Sequence, residues 1–227
     1  MFKKLLIALI TLSLPFLLVV TTIRVLWNDT LLIFEYNRPD FPPDSFGFTL
    51  AERTSLGIIG LHSVLPDSEG IALLERATLP DGSPAFNERE IKHMTDVHIL
   101  IGKVYPIELI GIALIVILAI VLNRSANWRD VVPSGLRWGS ILTLAILGAM
   151  IAYIILNFDA LFLQFHQLFF EGDSFAFRFS DTLIRLYPEQ LWNDAFTAVG
   201  VVTAAFGMIM VVGSSVWLKR LNKSAKM

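Results

Sequence analysis

An all-α membrane protein is predicted: four transmembrane helices, and two extracytoplasmic loop regions carrying short amphipathic helices and a possible hairpin. Three observations predict it. The 227 residues are 55% hydrophobic and only 17% charged, with mean hydropathy +0.64, whereas a soluble domain carries about 25% charged residues. Residues 5–23 and 138–156 are uncharged runs of 19 residues each, and 195–218 is one of 24; crossing a bilayer takes roughly 20 apolar residues. A fourth run, 104–122, is interrupted only by Glu108. The expected organisation is a single membrane domain, 1–227, with spans near 4–27, 104–123, 137–157 and 195–218 and outer loops 28–103 and 158–194.

The first span follows Lys3 and Lys4 and has no small-x-small cleavage site, so it reads as uncleaved despite its amino-terminal place. Pro15 within it is tolerable where neighbouring helices satisfy the carbonyl it frees. In the first outer loop, Thr49 and Glu52 have capping-box spacing and open a helix that must end before Pro66. Residues 79–86, with Pro80, Asp81 and Gly82, form a turn or short hairpin. Asn87 and Glu90 cap a second helix carrying His93, Asp96 and His98, which runs towards the second span with a break or kink expected near Pro106. Glu108 falls about one turn inside a membrane face and about 22 Å of helix from His93, an outer-interface acid. Pro188 is placed to start the helix feeding the last span, where Gly200 and Ala204 permit close helix contact.

Charge sets the expected orientation. The amino terminus, the 123–137 connector and the tail hold 2, 3 and 4 Lys or Arg residues against one acid, Asp130. The two longer loops hold 9 basic and 18 acidic residues. The positive-inside rule then puts both termini in the cytoplasm and both long loops outside. His93 and His166, far apart in sequence, share one side of the membrane in this topology. The basic residues are scattered along the inner face, where anionic lipid accounts for them and nucleic acid is not called for.

The stretch around His166 concentrates the chemistry. His166 lies among Phe162, Phe165, Phe169 and Phe170, with Glu171, Asp173 and Asp181 just beyond. One reading is an interfacial ring in an aromatic belt; the other is an acid/base group tuned by desolvation and carboxylates. His93 has the same two readings, with Asp96 three residues on and able to orient its ring. His62 and His98 lack such support, and His98 lies about 140° around the helix from His93. Absence of cysteine removes disulfides, thiolate ligands and a Cys nucleophile. No zinc-protease helix, serine elbow, phosphate loop or dinucleotide fingerprint is present. No cofactor or metal is expected, although His93, Asp96 and His166 are ligand types.

Two segments resemble a bacterial family of four-span membrane proteins that includes the lipoprotein intramolecular transacylase. One runs from Asn87 through Glu90, His93 and Met94 to Asp96; the other joins His166, Phe169, Phe170 and Asp173 to Asp181, Ile184 and Pro188. Gly47, Phe48 and Thr49 fit the family's first outer loop. The resemblance implies a membrane acyltransferase acting on diacylglyceryl lipoproteins, in which an acyl chain moves from the glycerol to the α-amine of the lipidated cysteine. It implies His93 and His166 as the catalytic pair. Asp96, Asp173, Asp181 and Glu90 are then supporting acids, and the four Phe residues around His166 seat acyl chains among membrane lipids. Hydrolysis of a lipid ester by the same pair and a non-catalytic membrane scaffold are the rival readings.

Overall fold

The computed structural model describes residues 1–169 and 177–224, except the side chains of 154–162, 165 and 224. Its described elements are helices α1 (Phe2–Leu26), α2 (Asp29–Tyr36), α3 (Leu50–Val64), α4 (Ala72–Arg76), α5 (Glu88–Leu122), α6 (Val131–Phe169), α7 (Thr182–Leu186) and α8 (Glu189–Ser224). Four of them, α1, α5, α6 and α8, contain stretches long and apolar enough to cross a membrane. The protein is a multi-pass membrane protein. The chain divides into two compact units, one made of 1–23, 105–158 and 198–227, the other of 24–104 and 159–197.

The first unit is the helical bundle. Large side chains along one broad face of α5, among them Leu109, Ile110, Leu114, Ile117 and Val121, are exposed, which water would penalise and acyl chains do not. Helices approach closely where a side chain is missing. A Cβ on Gly135 would stand 2.6 Å from Ile10, one on Gly139 2.7 Å from Leu14, and one on Gly111 2.7 Å from Leu17. Without a strong hydrophobic drive between helices in lipid, such contact through small residues holds a bundle together. Pro15 leaves α1 continuous. It cannot donate to the carbonyl of Thr11, and that oxygen faces Gly139, where a Cβ would come within 3.1 Å. Gly200, expected to mediate helix contact, has nothing within 4 Å; on α8 that part is played by Gly207, against Leu144. Thr203 donates to Thr22 at 3.0 Å, pairing two buried hydroxyls inside the bundle. Glu108 is 2% exposed and accepts from Thr21 at 2.6 Å, so it is enclosed by helices rather than set at an interface.

The second unit has a core of its own, built around Leu32, Tyr36, Leu56, Leu61, Leu74, Phe86, Leu183, Leu186 and Leu191. Its helices begin where the sequence offers caps. Asn28 accepts from Leu31 at α2, and Thr49 and Glu52 close the expected capping box at α3. Asn87 and Glu90 do the same at α5, with Glu90 accepting from the Asn87 N–H at 2.8 Å. The 79–86 segment is a tight turn with one bridge, Thr78 to Pro84, and no strand among the described residues. Gly82 takes φ +84° there, a backbone state glycine enters without a Cβ clash.

Two helices are longer than the apolar runs they contain. α5 passes through Pro106 without a break, from Glu88 to Leu122. Proline removes one bond, and flanking turns within a long apolar helix keep theirs. α6 continues to Phe169, well past the expected span end near 157, because nothing in the intervening sequence is a helix breaker.

Candidate functional site

His93 lies in the second turn of α5, three residues after Glu90, and His166 in the last turn of α6. They are 73 positions apart in the chain, yet their ring centroids are 6.0 Å apart, with planes 23° from parallel. Phe177 meets the His93 ring edge-on at 5.3 Å. His93 is 8% exposed, whereas His166 is only partly buried. The pair thus has one enclosed ring and one accessible ring, both within the second unit.

This setting has an electrostatic consequence. Burial disfavours the charged imidazolium, and the neighbouring His166 adds to the effect, so the His93 pKa is pushed down to about 4. Near neutral pH, His93 is a neutral imidazole, able to accept a proton at one nitrogen while donating from the other.

Glu90 anchors the backbone that presents His93. Its side chain is 1% exposed and receives the N–H groups of Asn87 at 2.8 Å and Leu183 at 2.7 Å. Desolvation raises its pKa, and the backbone donors partly offset that rise. One carboxylate therefore caps α5 and also grips the start of α7. Thr182 adds a bond to the Ala85 carbonyl at 2.6 Å. Asp181 accepts from the Arg178 N–H at 2.8 Å and precedes α7, so it shapes the loop that returns to α5.

The other expected supports fall differently. Asp96 is half-buried and makes no hydrogen bond to His93 among the described residues, so the i+3 spacing does not orient the ring as expected. Three positions along a helix put both side chains near one face, but the enclosed His93 ring turns to His166 and Phe177. Phe169 is 44% exposed at the end of α6. Phe170 and Asp173, and the side chains of Phe162 and Phe165, lie outside the described residues. His62 pairs with Asp29 at 2.7 Å, and His98 packs near Gly70. Among the described residues, no group of three or more His, Cys, Asp or Glu side chains gathers as metal ligands would.

Several residues that hold this arrangement were not singled out from the sequence. Asp44, with a 2% exposed side chain, takes both Nε and an Nη of Arg185, at 3.1 and 2.9 Å. It also receives the N–H groups of Phe46 and Phe48. Arg185 lies over the Phe48 ring at 3.3 Å. Arg53 donates to the Arg185 and Pro42 carbonyls and stacks on Phe41 and Tyr36. Tyr36 donates to Leu186 at 2.7 Å, and Tyr187 donates to Gly57 at 2.6 Å. These bonds tie the 177–194 segment to the 36–57 segment. Only the low tolerance of apolar cores for unpaired charge could have signalled them in advance, and it names no partner.

Comparison with known proteins agrees with this architecture. The family model for "Lipoprotein intramolecular transacylase Lit" matches residues 8–192. A protein of Aquifex aeolicus (strain VF5), itself described as uncharacterized, is 31% identical over 212 residues, 92% of this chain and 93% of the relative. Among solved structures, the membrane-integral lipoprotein intramolecular transacylase of Bacillus cereus superposes with TM-score 0.77 at 23% identity, over 100% of this chain and 98% of the other. A variant of that protein with one histidine replaced by alanine superposes at 0.75 and 20% identity, over 98% and 96% of the two chains. At these identities the superpositions speak for a shared fold.

Proposed function

The chain belongs to the lipoprotein intramolecular transacylase family, and from that premise we propose that His93 and His166 move an acyl chain within a diacylglyceryl lipoprotein. In this reading the α-amine nitrogen of the lipidated cysteine attacks an ester carbonyl on the glycerol. A C–N bond forms, the ester C–O bond breaks, and the proton lost by nitrogen ends on the glycerol oxygen. Atoms balance without water or any second substrate, and the product is the lyso form.

Neutral His93 offers an acceptor nitrogen for the amine proton as the C–N bond forms, when that proton becomes strongly acidic, and its low basicity favours passing the proton on. The accessible His166, within 6.0 Å ring to ring, is suited to steady the developing oxyanion or deliver the proton to the leaving oxygen. Donor and acceptor sit on one molecule, so the principal task is to fold the headgroup into an attacking geometry. Phe169 and Phe177 offer apolar surface for a chain beside the rings. The basic excess at the termini and the 123–137 connector supports an orientation with both termini in the cytoplasm and the histidines outside.

The single observation carrying this proposal is the meeting of two distant histidines, one enclosed and one accessible, in a chain of this family. The test supplies purified protein with a synthetic diacylglyceryl lipopeptide and follows product mass and connectivity. Transacylation leaves mass unchanged while one chain becomes an amide. A product lighter by one acyl group, with free fatty acid, would instead establish hydrolysis. His93→Asn and His166→Asn should each reduce turnover by roughly 10²–10⁴-fold, while His62→Asn and His98→Asn should leave it near wild type. Full turnover in a folded His93 or His166 variant would remove the pair from the mechanism.

A further inference from the structure

Within the helical bundle, α1 and α6 leave a groove of about 520 Å³, lined by Ile7, Ala8, Leu12, Trp138, Ile141 and Ala145, with Lys4 at one end. We propose that this groove binds one anionic phospholipid, an acyl chain lying along the apolar wall and the phosphate held by Lys4 and Arg137. The site is remote in sequence from the histidines and does not depend on the activity assigned to them.

The groove follows from small residues. Gly135 and Gly139 draw α6 against Ile10 and Leu14, and beside that seam the short side chains of Ala8 and Ala145 leave a channel unfilled. Its walls belong to membrane-spanning helices, so its natural content is hydrocarbon rather than water.

Charge selects the headgroup. Lys3, next in the chain, is engaged by Asp130 at 2.6 Å and by the Asn127 carbonyl at 3.2 Å. Lys4 and Arg137 have no acidic partner among the described residues. Arg137 instead lies over the Trp138 ring at 5.6 Å, and that ring lines the groove. Asp130 is the only acid in the amino terminus, the 123–137 connector and the tail, against 9 Lys or Arg residues. The one side-chain carboxylate there is engaged by Lys3, so none among the described residues is left to receive the ammonium of a zwitterionic lipid, whereas a phosphate finds a cation from each helix. Trp138 is an amphipathic ring of the kind that settles at headgroup level.

The test is native mass spectrometry of the purified full chain in detergent, with equal amounts of phosphatidylglycerol and phosphatidylcholine bearing the same chains. Preferential retention of the glycerol lipid is expected. Lys4→Gln and Arg137→Gln should each lower that preference roughly fivefold at low salt, and the double variant should bring the two lipids to parity. Lys219→Gln on the tail should leave it unchanged. Ala145→Phe, which fills the groove and keeps both cations, should reduce retention of either lipid. Melting midpoints without added lipid identify any variant that has lost its fold, and the remaining variants then decide. Equal retention of the two lipids by the wild type would overturn the site. So would an equal loss from Lys219→Gln, or wild-type retention by Ala145→Phe.

Discussion

His93 is a histidine that the fold keeps uncharged. Its pKa falls from the ordinary 6.5 to about 4 through burial first and the nearby His166 second. A histidine neutral in the folded state and free to protonate when unfolded contributes stability above pH 6.5, and that contribution is lost as the pH falls from 6.5 towards 4. The full effect is on the order of 3 kcal/mol. Melting curves in detergent should therefore show wild type losing stability between pH 6.5 and 4 more steeply than His93→Asn, whose side chain takes up no proton there. Glu90 titrates with the opposite sign, because its raised pKa favours the folded state at low pH; it is present in both proteins and cancels in the difference. Parallel pH profiles for the two would mean that His93 is not held neutral. At this scale the sequence showed which side chains can do acid/base work. It did not show that Glu90, besides capping α5, would bind the Leu183 N–H, or that Asp96 would leave His93 alone, because both outcomes depend on contacts with residues far away in the chain.

At the scale of elements, the site depends on α7 being fastened to the start of α5. Glu90 accepts from Leu183 at 2.7 Å in a place closed to water. Glu90→Gln keeps the shape but turns one acceptor into a donor facing backbone N–H groups, at a cost of about 1–3 kcal/mol. A thermal shift should show that loss. Lipopeptide turnover should fall with it while the lipopeptide KM changes little, since Glu90 is a positioning residue set behind His93. The packing of α3 is equally exacting. The Tyr187 hydroxyl donates to Gly57 at 2.6 Å, and a Cβ on Gly60 would overlap that hydroxyl. Gly60→Ala should cost about 1–3 kcal/mol by overpacking, read as a lower melting midpoint, whereas Gly213→Ala, with open space around it, should not lower it. Capping pairs and the apolar runs made these helices legible beforehand. Their lengths were less so: Pro106, where a break or kink is expected, does not interrupt α5, and α6 runs on past its apolar run because no breaker follows it before Phe169.

For the molecule as a whole, the orientation rests on the 9-to-1 basic excess in the termini and the connector. With no native cysteine, single substitutions report cleanly. Ser83→Cys should react with a membrane-impermeant thiol reagent in intact cells, and Ser125→Cys only after the cells are opened; the reverse pattern would invert the topology and remove the histidines from the outer face. Hydropathy and charge were sufficient to determine four spans and the class of the protein, because the cost of placing backbone or charge in hydrocarbon is local and large. Local capping chemistry likewise determined where α3 and α5 begin. Tertiary structure alone decided that His93 and His166 meet, that Gly135, Gly139 and Gly207 rather than Gly200 carry the helix contacts, and that Asp44 holds Arg185. Each of these is a pairing across tens or hundreds of residues, and a pairing is fixed by which surfaces exclude solvent together, a property no single stretch of chain possesses.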